Sequence, residues 1–251
     1  MNPDSVHLWC AYPDDLLDEE SAQACANLLS EDERARWQAL RFERHRREYL
    51  ATHALLRNAL SHYGNLAPAD WRFTKNAHGK PAVEPRCGLR FNLSNALGLV
   101  VCLISGNAEV GVDVEPHPRA ASIAEVAQRM FSPEELAQLR ALREEEQRGR
   151  CMHLWTLKEA YVKARGIGMS LPTNKFSFLF DATGAVTLEI DPSLGDDPSR
   201  WRFCMLNHAG HSIALMVESS CVPELKVWEA RAPIAAPAVL ALASEPWFPA
   251  P

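Results

Sequence analysis

The sequence lacks several features that would assign it to a particular environment. No run approaches the roughly 18 apolar residues of a membrane-spanning helix, and no basic segment followed by an apolar run lies near the N-terminus. The seven cysteines are never close together, and no C-x-x-C spacing marks a metal or redox site. We therefore expect a cytoplasmic protein, neither secreted nor membrane-bound, with reduced and mostly buried thiols.

An excess of positive charge is also missing. The formal net charge is −6, which argues against a general nucleic-acid-binding protein. The arginines are nevertheless concentrated between Arg34 and Arg57, and such a local positive patch suits a small polyanion. A hydrophobic content of 47% and a charged content of 23% are those of a globular protein. The length of 251 residues allows one large domain or two smaller ones.

The most informative stretch runs from Trp155 to Lys163, with the sequence WTLKEAYVK. It has helix-forming residues at most positions and reaches no glycine before Gly166, so the sequence predicts a helix that ends there. Residues four apart share a helix face, which aligns Trp155, Glu159 and Lys163. An arbitrary Glu/Lys pair at this spacing is usually a solvated ion pair. A second acidic segment upstream favours a functional role instead.

That acidic segment is Gly111–Glu115, in which valines alternate with carboxylates. As a strand, it would bury Val112 and Val114 and place Asp113 and Glu115 together on the opposite face. Their side chains would leave the backbone about 7 Å apart, close enough to ligate one hard cation. Taken alone, such a strand is more often a solvated face.

Together the two segments resemble the two signature motifs of the 4′-phosphopantetheinyl transferases. Gly166–Pro172 continues the second motif as in that family, and Phe73–Pro81 and Phe91–Ser94 resemble segments of its larger, monomeric branch, the surfactin-synthetase activator type.

The resemblance implies an α+β fold of two similar subdomains related by a pseudo-twofold axis. Each would be a small, mostly antiparallel sheet packed with helices, with the active site in the cleft between them. We place the subdomains at residues 1–112, with the coenzyme A phosphate contacts, and 113–231, with the metal and catalytic motifs. An Ala/Pro-rich tail, 232–251, follows. Sequence patterns alone predict only an α+β fold of one or two domains.

The reaction implied by the resemblance is transfer of 4′-phosphopantetheine from coenzyme A to a serine hydroxyl of an apo acyl or peptidyl carrier protein, an acidic helical domain. The other product is 3′,5′-ADP, and the enzyme is expected to be a monomer that requires Mg²⁺. The family's ligand positions correspond to Asp113, Glu115 and Glu159. Glu159 is also the candidate general base, directly or through a water, and Lys163 would neutralise charge near the leaving group.

The remaining site residues are implied less directly. Lys80 and Ser94 match positions that contact the coenzyme A phosphates, while Arg36, or Arg44 and Arg47, could hold the 3′-phosphate. Many relatives have histidine where this chain has Asn95, which donates a hydrogen bond without charge.

A Mg²⁺-dependent phosphohydrolase acting on a nucleotide or pyrophosphate would use the same three carboxylates without a carrier protein, and a non-catalytic binding module would not need the Glu159/Lys163 pairing.

Local signals predict most of the secondary structure. A capping box at Ser30 starts one helix, a second helix covers about residues 43–63, and further capping boxes lie at Ser122 and Ser132. The second of these opens a helix of roughly 14 residues that ends in the charged run 143–148, before the signature helix begins near Arg150. The expected strands are an edge strand at 6–11, a hairpin turning at Gly106-Asn107, and strands near 176–180, 185–190, 201–207 and 212–218.

Overall fold

A computed structural model describes residues 1–2, 4–16, 18–85, 87–230, 238–240 and 247–249. Within these residues, no helix is both long and apolar enough to cross a membrane. The α-helices are α1 (Pro13–Leu16), α2 (Glu19–Leu28), α3 (Glu31–Ala39), α4 (Glu43–Tyr63), α5 (Ala120–Met130), α6 (Pro133–Ala141) and α7 (Glu144–Arg165). The strands are β1 (Ser5–Ala11), β2 (Arg72–Lys75), β3 (Pro81–Glu84), β4 (Leu89–Ala96), β5 (Leu99–Gly106), β6 (Val110–Pro116), β7 (Phe176–Phe180), β8 (Val186–Ile190), β9 (Trp201–His208), β10 (His211–Glu218), β11 (Glu224–Ala230), β12 (Ala238–Leu240) and β13 (Phe248–Pro249).

The chain forms two compact units, and the predicted α+β class is confirmed. The first unit comprises the described residues of Met1–Lys75, Pro81–Asn107 and Glu224–Leu242. The second comprises those of Asn76–Lys80, Ala108–Pro223 and Ala243–Pro251. Thus the first main break follows residue 107 rather than the predicted 112, and β11 joins the first unit instead of the second. In the predicted tail, residues 232–237, 241–246 and 250–251 lie outside the described residues.

The first unit contains a five-stranded sheet with strand order β12-β11-β1-β5-β4. Its pairs are antiparallel except for β1 with β11. The expectation that β1 is an edge strand is wrong, because β1 has a partner on each side. All seven of its residues are buried, which suits an interior strand with both faces covered.

Helix α4 packs against this sheet and has the predicted bounds. Its buried residues, including Leu50, Leu56 and Leu60, join Trp9, Ile104 and others in one apolar cluster. Helix α3 begins with the predicted capping box, since the Ser30 hydroxyl accepts from the Glu33 N–H and the Glu33 carboxylate accepts from the Ser30 N–H.

The second unit contains a four-stranded antiparallel sheet, β13-β9-β10-β6, and the separate hairpin β7–β8. The strands predicted after Pro172 are confirmed within one residue at each end. Helices α5 to α7 share an apolar cluster with these strands, in which Leu157, Tyr161, Phe178 and Phe203 are almost fully buried.

Three local predictions are wrong. Gly106-Asn107 does not turn a hairpin, because β5 is already paired with β1 and β4, whereas β6 pairs with β10. Helix α6 ends at Ala141, and the charged run 144–148 instead begins α7. Three glutamates in the first turn favour a helix start at that point, since carboxylates are stabilised near helix N-termini. Helix α5 likewise begins at Ala120, before the predicted cap at Ser122.

Candidate active site

Helix α7 lies directly on strand β6, and a glycine makes this approach possible. A Cβ atom placed on Gly111 would lie 2.0 Å from the carbonyl oxygen of Ala160 and 2.9 Å from the Ala164 Cβ. No side chain fits at those separations. Since alternate residues of a strand share a face, the face of Gly111 that meets α7 is also the face of Asp113 and Glu115.

Asp113 and Lys163 form an ion pair between these two elements. Lys163 Nζ donates to Asp113 Oδ1 at 2.7 Å, and Asp113 is only 5% exposed. The carboxylate face of β6 is therefore covered rather than open. Burial raises the pKa of Asp113 to about 6, Lys163 opposes this shift, and the carboxylates of Glu115 and Glu159 add to it.

Glu115 is held by two donors. Trp155 Nε1 donates to Oε1 at 2.9 Å, and Arg119 Nη1 lies 2.6 Å from both carboxylate oxygens. The Arg119 guanidinium also lies 5.8 Å from the centre of the Trp155 ring. Sequence reasoning missed Arg119, although its position four residues after Glu115 was the available signal.

Glu159 belongs to the same electrostatic group. Burial raises the pKa of Glu159, as does the carboxylate of Glu115, while Lys163 and Arg119 lower it. The structure thus brings together the three predicted carboxylates with two cations. Among the described residues, no three Asp, Glu, His or Cys side chains are arranged closely enough to hold a metal ion. Ion pairs and an indole hydrogen bond connect the members of this group.

Lys80 also lies in the second unit, on the turn between β2 and β3. Its ammonium donates to Glu109 Oε2 at 2.8 Å, to the Val110 carbonyl at 3.2 Å and to the Ala164 carbonyl at 2.8 Å. All three N–H bonds therefore have acceptors within the protein. The predicted contact with a coenzyme A phosphate stays a prediction.

The other predicted phosphate ligands belong to the first unit. Arg36 is exposed on α3, and Arg44 is exposed in the first turn of α4. Arg47 Nε lies 3.5 Å from Asp14 Oδ1. Ser94 is buried on β4, whereas Asn95 is exposed and borders a cavity of about 420 Å³. The cavity is lined by Leu40, His45, Glu48, Tyr49, Thr52, His53 and Asn95.

The lysine next to Glu159 points elsewhere. Lys158 is 2% exposed and donates to the carbonyls of Thr173 and Phe176 at 2.7 and 2.6 Å. It also lies 2.8 Å from Glu135 Oε2. One residue step turns a helix by about 100°, which directs Lys158 into the core while Glu159 remains beside the carboxylates.

Comparisons with known proteins give the family. Residues 109–216 match the model of the 4′-phosphopantetheinyl transferase superfamily. The chain is 35% identical to the 4′-phosphopantetheinyl transferase HetI of Nostoc sp. over 66% of this chain and 71% of that protein. It is 29% identical to the transferase Sfp of Bacillus subtilis, over 75% of this chain and 83% of Sfp.

Several solved holo-(acyl-carrier-protein) synthases match part of this chain. A holo-(acyl-carrier-protein) synthase of Bacillus anthracis, solved in complex with coenzyme A, aligns with 45% of this chain and 96% of its own at 17% identity and a TM-score of 0.38. The family assignment is based on sequence similarity, and the match to the family model spans both signature segments. The chain therefore belongs to the 4′-phosphopantetheinyl transferase superfamily, in its larger, Sfp-type branch, and is a transferase.

Proposed function

We propose that this enzyme transfers 4′-phosphopantetheine from coenzyme A to a serine hydroxyl of an acyl or peptidyl carrier protein. The carrier is converted from apo to holo form, and 3′,5′-ADP is released. The observation that carries this proposal is the position of Glu159 and Lys163 on α7, against the carboxylate strand β6. Phosphoryl transfer depends mainly on positioning and charge neutralisation, which this group of charges supplies.

Each residue has a proposed role. Lys163 neutralises charge that develops on the phosphate of the leaving nucleotide, while its ion pair with Asp113 fixes its ammonium. Glu159 accepts the proton of the attacking serine, directly or through a water. Trp155 and Arg119 hold Glu115 by hydrogen bonds, so they orient a residue of the site without contacting the reacting atoms.

Mg²⁺ is the proposed metal, and Asp113, Glu115 and Glu159 would hold it. Their oxygen ligands suit a hard cation, and three neighbouring carboxylates favour a positive charge among them. Arg119, half-exposed beside Glu115, can move away to free that carboxylate. When bound, Mg²⁺ neutralises pyrophosphate charge. A rise in melting temperature with added Mg²⁺, absent in Asp113→Asn, is expected. An equal rise in both proteins would show that Asp113 is not a ligand of the metal.

The first unit is proposed to bind the phosphates of coenzyme A. Ser94 and Asn95 supply neutral hydrogen-bond donors from β4, and Arg36, Arg44 and Arg47 supply charge. The carrier is proposed to be an acidic helical domain, and the enzyme to act as a monomer.

The deciding assay mixes the enzyme with an apo carrier protein, coenzyme A and Mg²⁺, and then measures the intact mass of the carrier. A gain equal to one phosphopantetheine is expected, and a serine-to-alanine carrier serves as the control. Cleavage of coenzyme A in the absence of any carrier would instead identify a phosphohydrolase.

A further inference from the structure

The turn between β2 and β3, residues Asn76–Lys80, is built around one side chain. Asn76 Oδ1 accepts hydrogen bonds from the backbone N–H groups of His78 and Lys80, both at 2.9 Å. Its other terminal atom, Nδ2, donates to the carbonyl of Gly166 at 2.8 Å. Asn76 therefore shapes the turn and attaches it to the end of α7.

Lys80 attaches the same turn to two elements at once. Its ammonium reaches the carbonyl of Ala164 on α7 and the carbonyl of Val110 on β6. Ala164 directly follows Lys163, and Val110 precedes Asp113 on the same short strand. One ammonium thus connects the segment that carries Lys163 to the segment that carries Asp113. The side chain is 14% exposed, so this connection is shielded from water.

The end of α7 is suited to this attachment. The last carbonyls of a helix have no partner within the helix and carry partial negative charge, so an ammonium among them is stabilised. Gly166 has a left-handed φ of +65°, and a Cβ there would lie 2.7 Å from Lys80 Cδ. A glycine is needed both for the helix end and for the passage of the lysine stem.

We propose that Lys80 is a positioning residue of the transferase site. It holds the C-terminal turn of α7 to β6, and so keeps the Lys163 ammonium beside the Asp113 carboxylate. In this role Lys80 is not a ligand of a coenzyme A phosphate, because each of its three donors is already directed to a protein acceptor. The inference rests on the proposed function for its catalytic consequence, whereas the attachment itself can be measured without turnover.

The experiment compares two variants of the turn with a control. Lys80→Met keeps most of the stem and removes the ammonium, and Asn76→Ala removes the amide that shapes the turn without changing charge. Lys75→Met, which removes an exposed lysine from the adjoining strand, is the control. Each protein is measured by hydrogen exchange of backbone amides in residues 160–168 and by steady-state transfer to an apo carrier protein.

Both turn variants are expected to exchange faster in residues 160–168 and to lower kcat by about tenfold, with the KM for coenzyme A changed by less than about twofold. The control should match the wild type. If Lys80 instead contacts a coenzyme A phosphate, Lys80→Met alone should raise the KM for coenzyme A. Hydrogen exchange should then be unchanged, and Asn76→Ala should behave as the wild type. That result would overturn the proposal.

Two further outcomes separate the inference from the function on which it rests. If the wild type does not modify the carrier, the proposed function fails, while the exchange data still decide whether the turn holds α7. If Lys80→Met does not fold, Asn76→Ala decides alone, since it alters an exposed turn residue. Normal exchange and normal kcat in Asn76→Ala would then overturn the proposal.

Discussion

The ammonium of Lys163 lies 2.7 Å from the carboxylate of Asp113, although the two residues are 50 positions apart in the chain. The two residues come from separate sequence motifs, and the contact between α7 and β6 joins those motifs. Lys163 is therefore not a solvated lysine of the helix surface, because its partner is a buried carboxylate rather than an exposed glutamate.

Replacement of Lys163 tests whether this residue acts in catalysis, with stability measured on the same variant. Lys163→Ala is expected to lower turnover by more than about tenfold, because charge on the departing nucleotide would go unneutralised. Lys175→Ala is the matched control, since Lys175 is exposed and lies 4.0 Å from Asp191. Turnover and urea unfolding are measured on both proteins. A Lys163→Ala enzyme with normal turnover would exclude the lysine from the reaction.

The buried pair of Lys158 and Glu135 predicts a large effect on stability. Lys158→Met should lower the free energy of unfolding by roughly 3 to 5 kcal/mol, because it leaves a charge buried without its partner. The double variant Lys158→Met with Glu135→Gln should recover part of this loss, since neither charge remains. Urea unfolding is measured on the wild type, the single variant and the double variant. As a control, Arg143→Ala removes one partner of an exposed ion pair and should lower the free energy of unfolding by under about 1 kcal/mol. A double variant less stable than Lys158→Met would show that the loss in Lys158→Met does not come from an unpartnered Glu135 charge.

Sequence signals predicted the elements that depend on neighbouring residues. The bounds of α4, the capping box at Ser30 and the glycine that ends α7 all follow from local chemistry, and the structure confirms them. The pairing of β6 with β10 was not predictable, because an apolar strand does not specify its neighbour. The same limit hid the burial of Asp113, which depends on α7 covering β6 through the close contact between Gly111 and Ala160. The role of Arg119 was missed although its spacing from Glu115 is local.

A buried histidine in the first unit predicts that stability depends on pH. Burial, with smaller effects from Lys226 and His62, lowers the pKa of His7 from 6.5 to about 4. Trp228 Nε1 donates to His7 Nδ1, which requires that nitrogen to be unprotonated. The unfolded chain gains a proton below about pH 6.5 and the folded chain does not. The free energy of unfolding should therefore fall between about pH 6.5 and 4, by about 2 to 3 kcal/mol from this group.

Unfolding in urea across this pH range tests the histidine. His7→Asn should be less stable than the wild type near pH 7, because it loses the ring contacts of His7 with Tyr63 and Trp228. Its stability should fall less steeply with acid, so that the two proteins converge near pH 4. Parallel curves would show that His7 does not cause the dependence.

The last prediction concerns the 3′-phosphate of coenzyme A and the amide at position 95. Asn95 is exposed beside α4 residues that include His45 and His53, and the exposed Arg44 directly precedes His45 on that helix. If asparagine leaves the phosphate with too little positive charge, Asn95→His should lower the KM for coenzyme A and leave that for 3′-dephospho-coenzyme A unchanged. Arg44→Glu should raise the KM for coenzyme A more than the KM for 3′-dephospho-coenzyme A, since one charge-assisted contact contributes roughly 1.5 to 3 kcal/mol. Equal responses to both substrates in every variant would mean that neither residue contacts the 3′-phosphate. The arginines would then be tested against the acidic carrier, whose affinity should weaken with added salt.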